Sequence, residues 1–94
     1  MTSLSRRLLP STSALAAFES VARLRSFSAA AEELSLTQGA ISRQVSGLED
    51  LLGILLFERT SRGVVLTSAG AEYAKSVGAA LSQIRSASLQ AMTK

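Results

Sequence analysis

The chain has 94 residues, enough for one small domain but not for two independent cores. Hydrophobic residues make up 47% of it, as in folded rather than disordered proteins. Because it contains no cysteine and no histidine, disulfide scaffolds, Cys/His zinc sites, cysteine nucleophiles and Ser-His-Asp chemistry are excluded. We therefore expect no enzyme, and no cofactor or metal in this chain.

The net charge of +3 fits an anionic partner but is too small to establish binding to nucleic acid by itself. Residues 1–10 are predicted to form a flexible basic leader containing Arg6 and Arg7. The apolar run after these arginines is too short for a signal peptide, and no stretch is long and apolar enough to span a membrane. We expect a cytoplasmic protein with no membrane contact.

Two helices are predicted in the first part of the chain, since apolar residues recur there every three or four positions. The first is predicted to begin after Ser13 as its N-cap and to end near residues 25–26. The second is predicted to begin after Ser28 and to run over residues 29–34, with three consecutive alanines at its start.

A third helix is predicted from Gln38 to Leu52, with Thr37 as its N-cap and Gly53 as a left-handed C-cap. Its apolar positions follow the 4-3-4 spacing of one helix face: Ile41, Val45, Leu48 and Leu52. Two short apolar runs follow, over residues 54–57 and 64–66, around a glycine-containing turn at 60–63. This pattern predicts a β-hairpin.

The last predicted element is a long helix that begins after Thr67 and continues to the C-terminus. Its apolar row has the 4-3 spacing of a coiled coil and comprises Tyr73, Val77, Ala80, Ile84 and Ala87, with Leu81 widening it. We expect this row to pair with a second copy of the chain and so to form a homodimer. Packing of the helix on its own domain, at Tyr73 and Val77 above all, is the alternative.

The second and third helices have the order and spacing of a helix-turn-helix unit. Small residues at 29–31 allow the two helices to cross closely, and Leu34 and Leu36 are expected to point inward. The opposite face of the third helix would then enter the DNA major groove, while Thr37 and the free N–H groups at the helix start bind a phosphate. That face carries Gln38, Gly39, Ser42, Arg43 and Ser46. A merely solvated face is the alternative.

A hairpin directly after a helix-turn-helix makes a winged helix-turn-helix, and this one carries Arg59 and Arg62. Next to a recognition helix, these arginines are expected to contact the DNA backbone or the minor groove. The predicted fold is therefore mainly α, with three helices, a two-stranded hairpin and a long linker helix.

These residues resemble the DNA-binding domain of LysR-type transcriptional regulators over residues 9–92. The similarity is carried by AAEEL at 30–34, Thr37-Gln38, the run 40–45, Leu48-Glu49, LLFER at 55–59 and LTSAG at 66–70. The resemblance implies a DNA-binding domain over 11–67, a linker and dimerisation helix over 68–94, and double-stranded DNA as partner. It further implies that a small-molecule effector would bind only through a C-terminal domain absent from this chain.

By the same resemblance, Gln38, Ser42 and Arg43 match base- or phosphate-contacting positions, and Arg59 and Arg62 match the wing. Two positions depart from the usual pattern: Gly39, where proline or serine is common, and Ser46, where a basic residue is common.

We expect the chain to act as a homodimer on an interrupted palindrome. The alternative is a helical protein-interaction or adaptor module without DNA binding, and the carboxylates at 32, 33, 49 and 50 are expected to be solvated.

Overall fold

A computed structural model describes residues 9–94, so that most of the predicted basic leader, including Arg6 and Arg7, lies outside the described residues. The described part contains four helices and one two-stranded antiparallel hairpin, in the predicted order. The elements are α1 (Thr12–Leu24), α2 (Phe27–Leu34), α3 (Gln38–Leu52), β1 (Phe57–Thr60), β2 (Gly63–Leu66) and α4 (Ser68–Met92). The predicted fold class is confirmed.

Two of the four predicted N-caps are wrong by two residues. Helix α1 is capped by Ser11 rather than Ser13, since the Ser11 side chain accepts a hydrogen bond from the Ala14 amide at 3.2 Å. Helix α2 is capped by Ser26 rather than Ser28, through a 3.0 Å bond from the Ala29 amide. Both regions offer several Ser or Thr residues, and the cap is the one whose backbone is extended ahead of the first helical turn.

The helix-turn-helix turn is tight because α2 ends at a residue in the left-handed conformation, Ser35, with φ of 56°. The amide of Leu36 then donates to the carbonyl of Ala31 at 2.9 Å. This geometry leaves Leu36 49% exposed, so the expectation that its side chain points inward is wrong. Leu34 is partly buried against the core. Thr37 and Gly53 cap α3 as predicted.

The hydrophobic core lies between α1, α3, the base of the hairpin and the first turns of α4. An aromatic cluster occupies its centre. Phe18 is fully buried, and its ring centroid lies 5.5 Å from that of Phe57 and 5.4 Å from that of Tyr73. Phe27 joins the cluster from the start of α2, with its centroid 6.0 Å from Phe57. The core thus fixes the hairpin against the helix-turn-helix unit.

The first strand lies three residues later than predicted, because β1 begins at Phe57 and residues 54–56 form a connection instead of a strand. Phe57 pairs with Leu66 and Thr60 pairs with Gly63, which leaves a two-residue turn at 61–62. The amides of Leu56 and Phe57 both donate to the Glu49 carboxylate, at 2.8 and 3.3 Å, and so tie the start of β1 to α3. The predicted solvation of Glu49 is therefore wrong.

Glu33 is exposed, as predicted, but its carboxylate also has two protein partners. Its carboxylate accepts a 2.7 Å hydrogen bond from the hydroxyl of Ser20, which is fully buried, and it forms an ion pair with Arg23. Arg23 pairs with Glu19 as well, at 2.9 Å. The Arg23 guanidinium, followed by the Ser20 hydroxyl, holds the pKa of Glu33 below its usual range. This cluster joins α1 to α2 behind the helix-turn-helix turn.

Helix α4 begins at the Thr67 cap as predicted, and its two halves have different environments. Val77 and Leu81 are buried against the core, and Tyr73 is half-buried against Phe18. Every residue from 82 to 94 is exposed. Nothing among the helices of residues 9–94 combines the length and apolarity that crossing a membrane requires.

Candidate nucleic-acid interface

The predicted recognition face occupies the first three turns of α3 and is open to solvent. Gln38, Gly39, Arg43 and Ser46 are exposed, and Ser42 is half-buried. Thr37 caps the helix, with its hydroxyl accepting a 3.0 Å bond from the Ala40 amide. The amides of residues 38 and 39 have no helical carbonyl four residues before them to donate to, because the first such acceptor, the carbonyl of Thr37, is used by Ile41, and they remain available to a ligand. The N-terminal end of α3 therefore presents N–H donors beside polar side chains.

Arg43 is the only charged side chain in this face. Its guanidinium lies back along the helix over Gly39, where a Cβ atom placed on the glycine would be 3.6 Å from Nη1. Within the described part of the chain, the guanidinium has neither a hydrogen-bond acceptor nor an ion-pair partner. All five of its N–H donors can therefore bind a ligand.

The C-terminal end of α3 has the opposite charge. Asp50 is exposed and lies seven positions after Arg43, about two turns along the same side of the helix. Glu49, beside it, is held by the backbone amides at the start of β1. The first half of α3 is thus favourable to an anionic ligand, and its end is unfavourable.

Arg59, on β1, packs beside α3 instead of extending from the hairpin. Its guanidinium carbon lies 4.7 Å from the centroid of the Phe27 ring, at a distance that a cation–π contact requires. A cavity of about 130 Å³ separates the hairpin base from α3, and its lining includes Arg59, Ser42 and Ser46. The structure thus brings together three predicted site residues that lie on two different elements.

Arg62 is exposed at the hairpin tip, apart from this cavity. The tip is ordered by two hydrogen bonds of the Thr60 hydroxyl, which accepts from the Arg62 amide at 3.2 Å and donates to the Gly63 carbonyl at 3.1 Å. Gly63 has a φ of 119°, a conformation that glycine adopts readily and other residues rarely do. The backbone therefore holds Arg62 at the tip while its side chain extends into solvent.

Comparison with known proteins places this geometry in a family. The model of the family described as "Bacterial regulatory helix-turn-helix protein, lysR family" matches residues 12–71, from α1 to the first turn of α4. The chain belongs to the lysR family. The predicted resemblance is thereby confirmed, and the chain is a helix-turn-helix DNA-binding domain of the LysR type.

Individual relatives and solved structures agree with the lysR assignment. The HTH-type transcriptional regulator TrpI of Pseudomonas aeruginosa is 53% identical over 79 residues, which are 84% of this chain and 27% of that protein. The chain thus spans about a quarter of the length of this curated relative. A CbnR DNA-binding domain in complex with DNA is similar with a TM-score of 0.79 and 31% identity, covering 89% of this chain and 97% of that one. A BenM DNA-binding domain bound to benA site 1 DNA has a TM-score of 0.79 and 34% identity, covering 89% and 92%.

The residues predicted to form the dimer surface of this lysR-family domain separate into two groups. Val77 and Leu81 pack into the core of their own domain, and Tyr73 is half-buried against Phe18, so that at Tyr73 and Val77 the structure follows the alternative of packing on the same domain. Ala80, Ile84 and Ala87 are exposed. The sequence interpretation underestimated how far the domain covers α4, because the core reaches one turn beyond Val77.

Two contributors to the interface were missed in the sequence. Glu49 fixes the start of the wing, and Phe27 supports the Arg59 guanidinium. The only local signal was their place in the motifs of the lysR family, since neither has a neighbour in sequence that reveals its partner. Among residues 9–94, no group of three or more acidic, histidine or cysteine side chains is arranged to hold a metal ion.

Proposed function

We propose that this lysR-family domain binds double-stranded DNA sequence-specifically, as the DNA-binding module of a bacterial transcription regulator. The observation that carries the proposal is the unpartnered guanidinium of Arg43 on the exposed first half of α3, beside a hairpin that supplies two further arginines. Arginine can bind guanine through two hydrogen bonds in the major groove, and glutamine can bind adenine similarly. Arg43 and Gln38 are the proposed base-reading residues.

Charge along α3 supports insertion of its N-terminus into the major groove. The free amides at 38 and 39 and the Thr37 cap suit a phosphate at the groove edge. Asp50, at the far end, would be repelled by the DNA backbone and keeps that end of the helix outside the groove. Recognition then depends on few direct base contacts, with DNA shape contributing the remainder.

The wing is proposed to bind the backbone at two points. Arg59, held over Phe27, lines the cavity between β1 and α3 together with Ser42, Ser46 and Glu49, whose carboxylate is already bound by two backbone amides. A guanidinium and two hydroxyl groups are a suitable set of donors for one phosphate. Arg62, at the exposed tip, reaches a second phosphate or the minor groove.

The domain is proposed to act as a homodimer on an interrupted palindrome. Beyond Leu81, about 16 Å of α4 extends without cover from its own domain, and Ile84 is 53% exposed there. The exposed residues Ala80, Ile84 and Ala87 would pair with the same residues of a second copy. We further propose that the regulator works in the cytoplasm, catalyses no reaction, and responds to any small-molecule effector through a domain outside this chain.

Selection from a pool of duplexes tests the proposal directly. Half-sites bound by helix-turn-helix dimers lie about 10 base pairs apart or a multiple of that, so a randomised stretch of about 30 base pairs can contain both. The expected result is a consensus with two inverted half-sites, bound with an affinity that falls steeply with salt because displaced counterions return to the DNA.

The protein-interaction alternative predicts a different result in the same experiment. An adaptor module would yield no consensus, and its affinity for DNA would be equally low for selected and random duplexes. Recovery of a single, unrepeated half-site would retain DNA binding but refute the homodimer on a palindrome.

A further inference from the structure

We infer that Gly39 is a positioning residue for Arg43 and thereby determines which base the recognition helix reads. The inference rests on the proposed DNA-binding function. The glycine removes a side chain from the recognition face and so leaves room for the guanidinium.

The geometry of the first turn supports this role. Long side chains on a helix extend towards its N-terminus and cover the preceding turn, so Arg43 covers the residue four positions before it. That residue is Gly39, and a Cβ atom there would lie 3.6 Å from Nη1 of the guanidinium. This distance is ordinary van der Waals contact, so one added methyl group fits. A longer side chain would compete with the guanidinium for the same surface.

The position of the guanidinium decides what it can contact. Over Gly39, it lies beside the helix start, where the N-terminal residues of a recognition helix reach the base edges. Displaced from Gly39, it would swing outward from the helix axis, where phosphates flank the groove. A larger residue at position 39 should therefore convert a base-reading arginine into one that binds phosphate without regard to sequence.

Gly47 provides an internal comparison. It is also exposed on α3, and a Cβ atom there would have nothing within 4 Å. Replacing Gly47 with alanine removes a helix-interior glycine without approaching the Arg43 guanidinium. Effects common to Gly39→Ala and Gly47→Ala therefore report on helix propensity alone.

The experiment measures base preference at each position of the duplex selected by the wild-type chain. Single base-pair changes are introduced into that duplex, and the affinities of wild type, Gly39→Ala, Gly39→Leu, Gly47→Ala, Arg43→Ala and the double variant Gly39→Leu/Arg43→Ala are determined by fluorescence anisotropy. Circular dichroism of each variant confirms that the helices are retained. Leucine is a strong helix former, so Gly39→Leu should fold.

At one base pair, Arg43→Ala should remove a discrimination of about 5- to 150-fold, the range that a bidentate arginine–guanine pair provides. Gly39→Leu should remove the discrimination at that same base pair, while Gly39→Ala and Gly47→Ala retain it. The double variant should keep the same residual discrimination as Arg43→Ala alone, because both changes abolish the same interaction. Affinity for random duplexes should fall less in Gly39→Leu than in Arg43→Ala, since the charge remains.

Four results would overturn the inference. Gly39→Leu could keep the preference at the base pair that Arg43 reads, or relax a different one, and in either case the glycine does not position the arginine. Losses that add in the double variant would show that residue 39 acts independently of Arg43. If the wild-type chain selects no consensus at all, the proposed function itself fails, and the inference with it.

Discussion

The close approach of Gly70 to the backbone of Leu56 makes the strongest stability prediction for this fold. A Cβ atom at position 70 would lie 2.0 Å from the Leu56 carbonyl oxygen and 2.9 Å from its carbonyl carbon. Both atoms belong to the main chain, so no side-chain rotation can relieve the overlap. Gly70→Ala should therefore push the first turn of α4 away from the connection that leads into the wing.

The loss in the free energy of unfolding of Gly70→Ala follows from the contacts at this junction. Overpacking a tight site costs about 1–3 kcal/mol. The displacement also disturbs the 3.0 Å bond from the Thr67 amide to the Leu56 carbonyl and the 2.9 Å bond from the Thr67 hydroxyl to the Leu55 carbonyl. Each such bond is worth about 0.5–1.5 kcal/mol. After subtracting about 1 kcal/mol for the better helix propensity of alanine, the net loss is about 1–5 kcal/mol.

Gly78→Ala is the matched control, because Gly78 lies in the same helix and a Cβ atom there has nothing within 4 Å. It should raise the free energy of unfolding by up to about 1 kcal/mol. Urea denaturation followed by far-ultraviolet circular dichroism, at one protein concentration, measures both variants. A Gly70→Ala chain as stable as wild type would refute the argument from steric overlap.

Three further predictions concern the wing, the exposed end of α4 and the ion pair between Glu33 and Arg23. Arg62→Ala should flatten the slope of log affinity against log salt by about 0.9 for one lost phosphate contact and keep the major-groove preference, whereas an unchanged slope would show that the tip does not touch the backbone. Ile84→Asp should sediment as a monomer and lose most affinity for a duplex with two half-sites but little for one half-site; a dimer persisting at micromolar concentration would place the interface elsewhere. Because the folded-state pKa of Glu33 is lowered, its stabilising contribution is present above the unfolded value of about 4.3 and is lost as pH falls through the folded value. Glu33→Gln should thus be less stable than wild type near pH 7, by a difference that shrinks in acid, and a difference independent of pH would contradict the assigned cause.

Much of the fold could be predicted from the sequence because it depends on local patterns. The caps of α3 and α4 at Thr37, Gly53 and Thr67 each have one clear candidate, and each is confirmed. The caps of α1 and α2 lie in runs that offer several hydroxyl residues. Local propensity ranks such neighbours almost equally, so the choice between Ser26 and Ser28 depends on how Phe27 enters the core.

The features that the sequence did not predict are those between residues far apart in the chain. Arg59 packs on Phe27, which lies 32 positions earlier in the chain. The Glu49 carboxylate binds the amides of the residues seven and eight positions later, at the end of the connection and the start of β1. Neither periodicity nor spacing encodes such pairs. The burial of Leu81 likewise depends on the extent of the assembled core, which a helical pattern alone does not define.

We propose that the N-terminal half of α3 and the hairpin together form the surface that binds DNA. Amide chemical-shift perturbation by NMR, measured as the selected duplex is added to the chain, tests it most directly. We expect the largest shifts at residues 37–46 and 59–63, with small shifts at Asp50 and on the exposed face of α1. Shifts concentrated on α1 or α4 and absent from the start of α3 would contradict it.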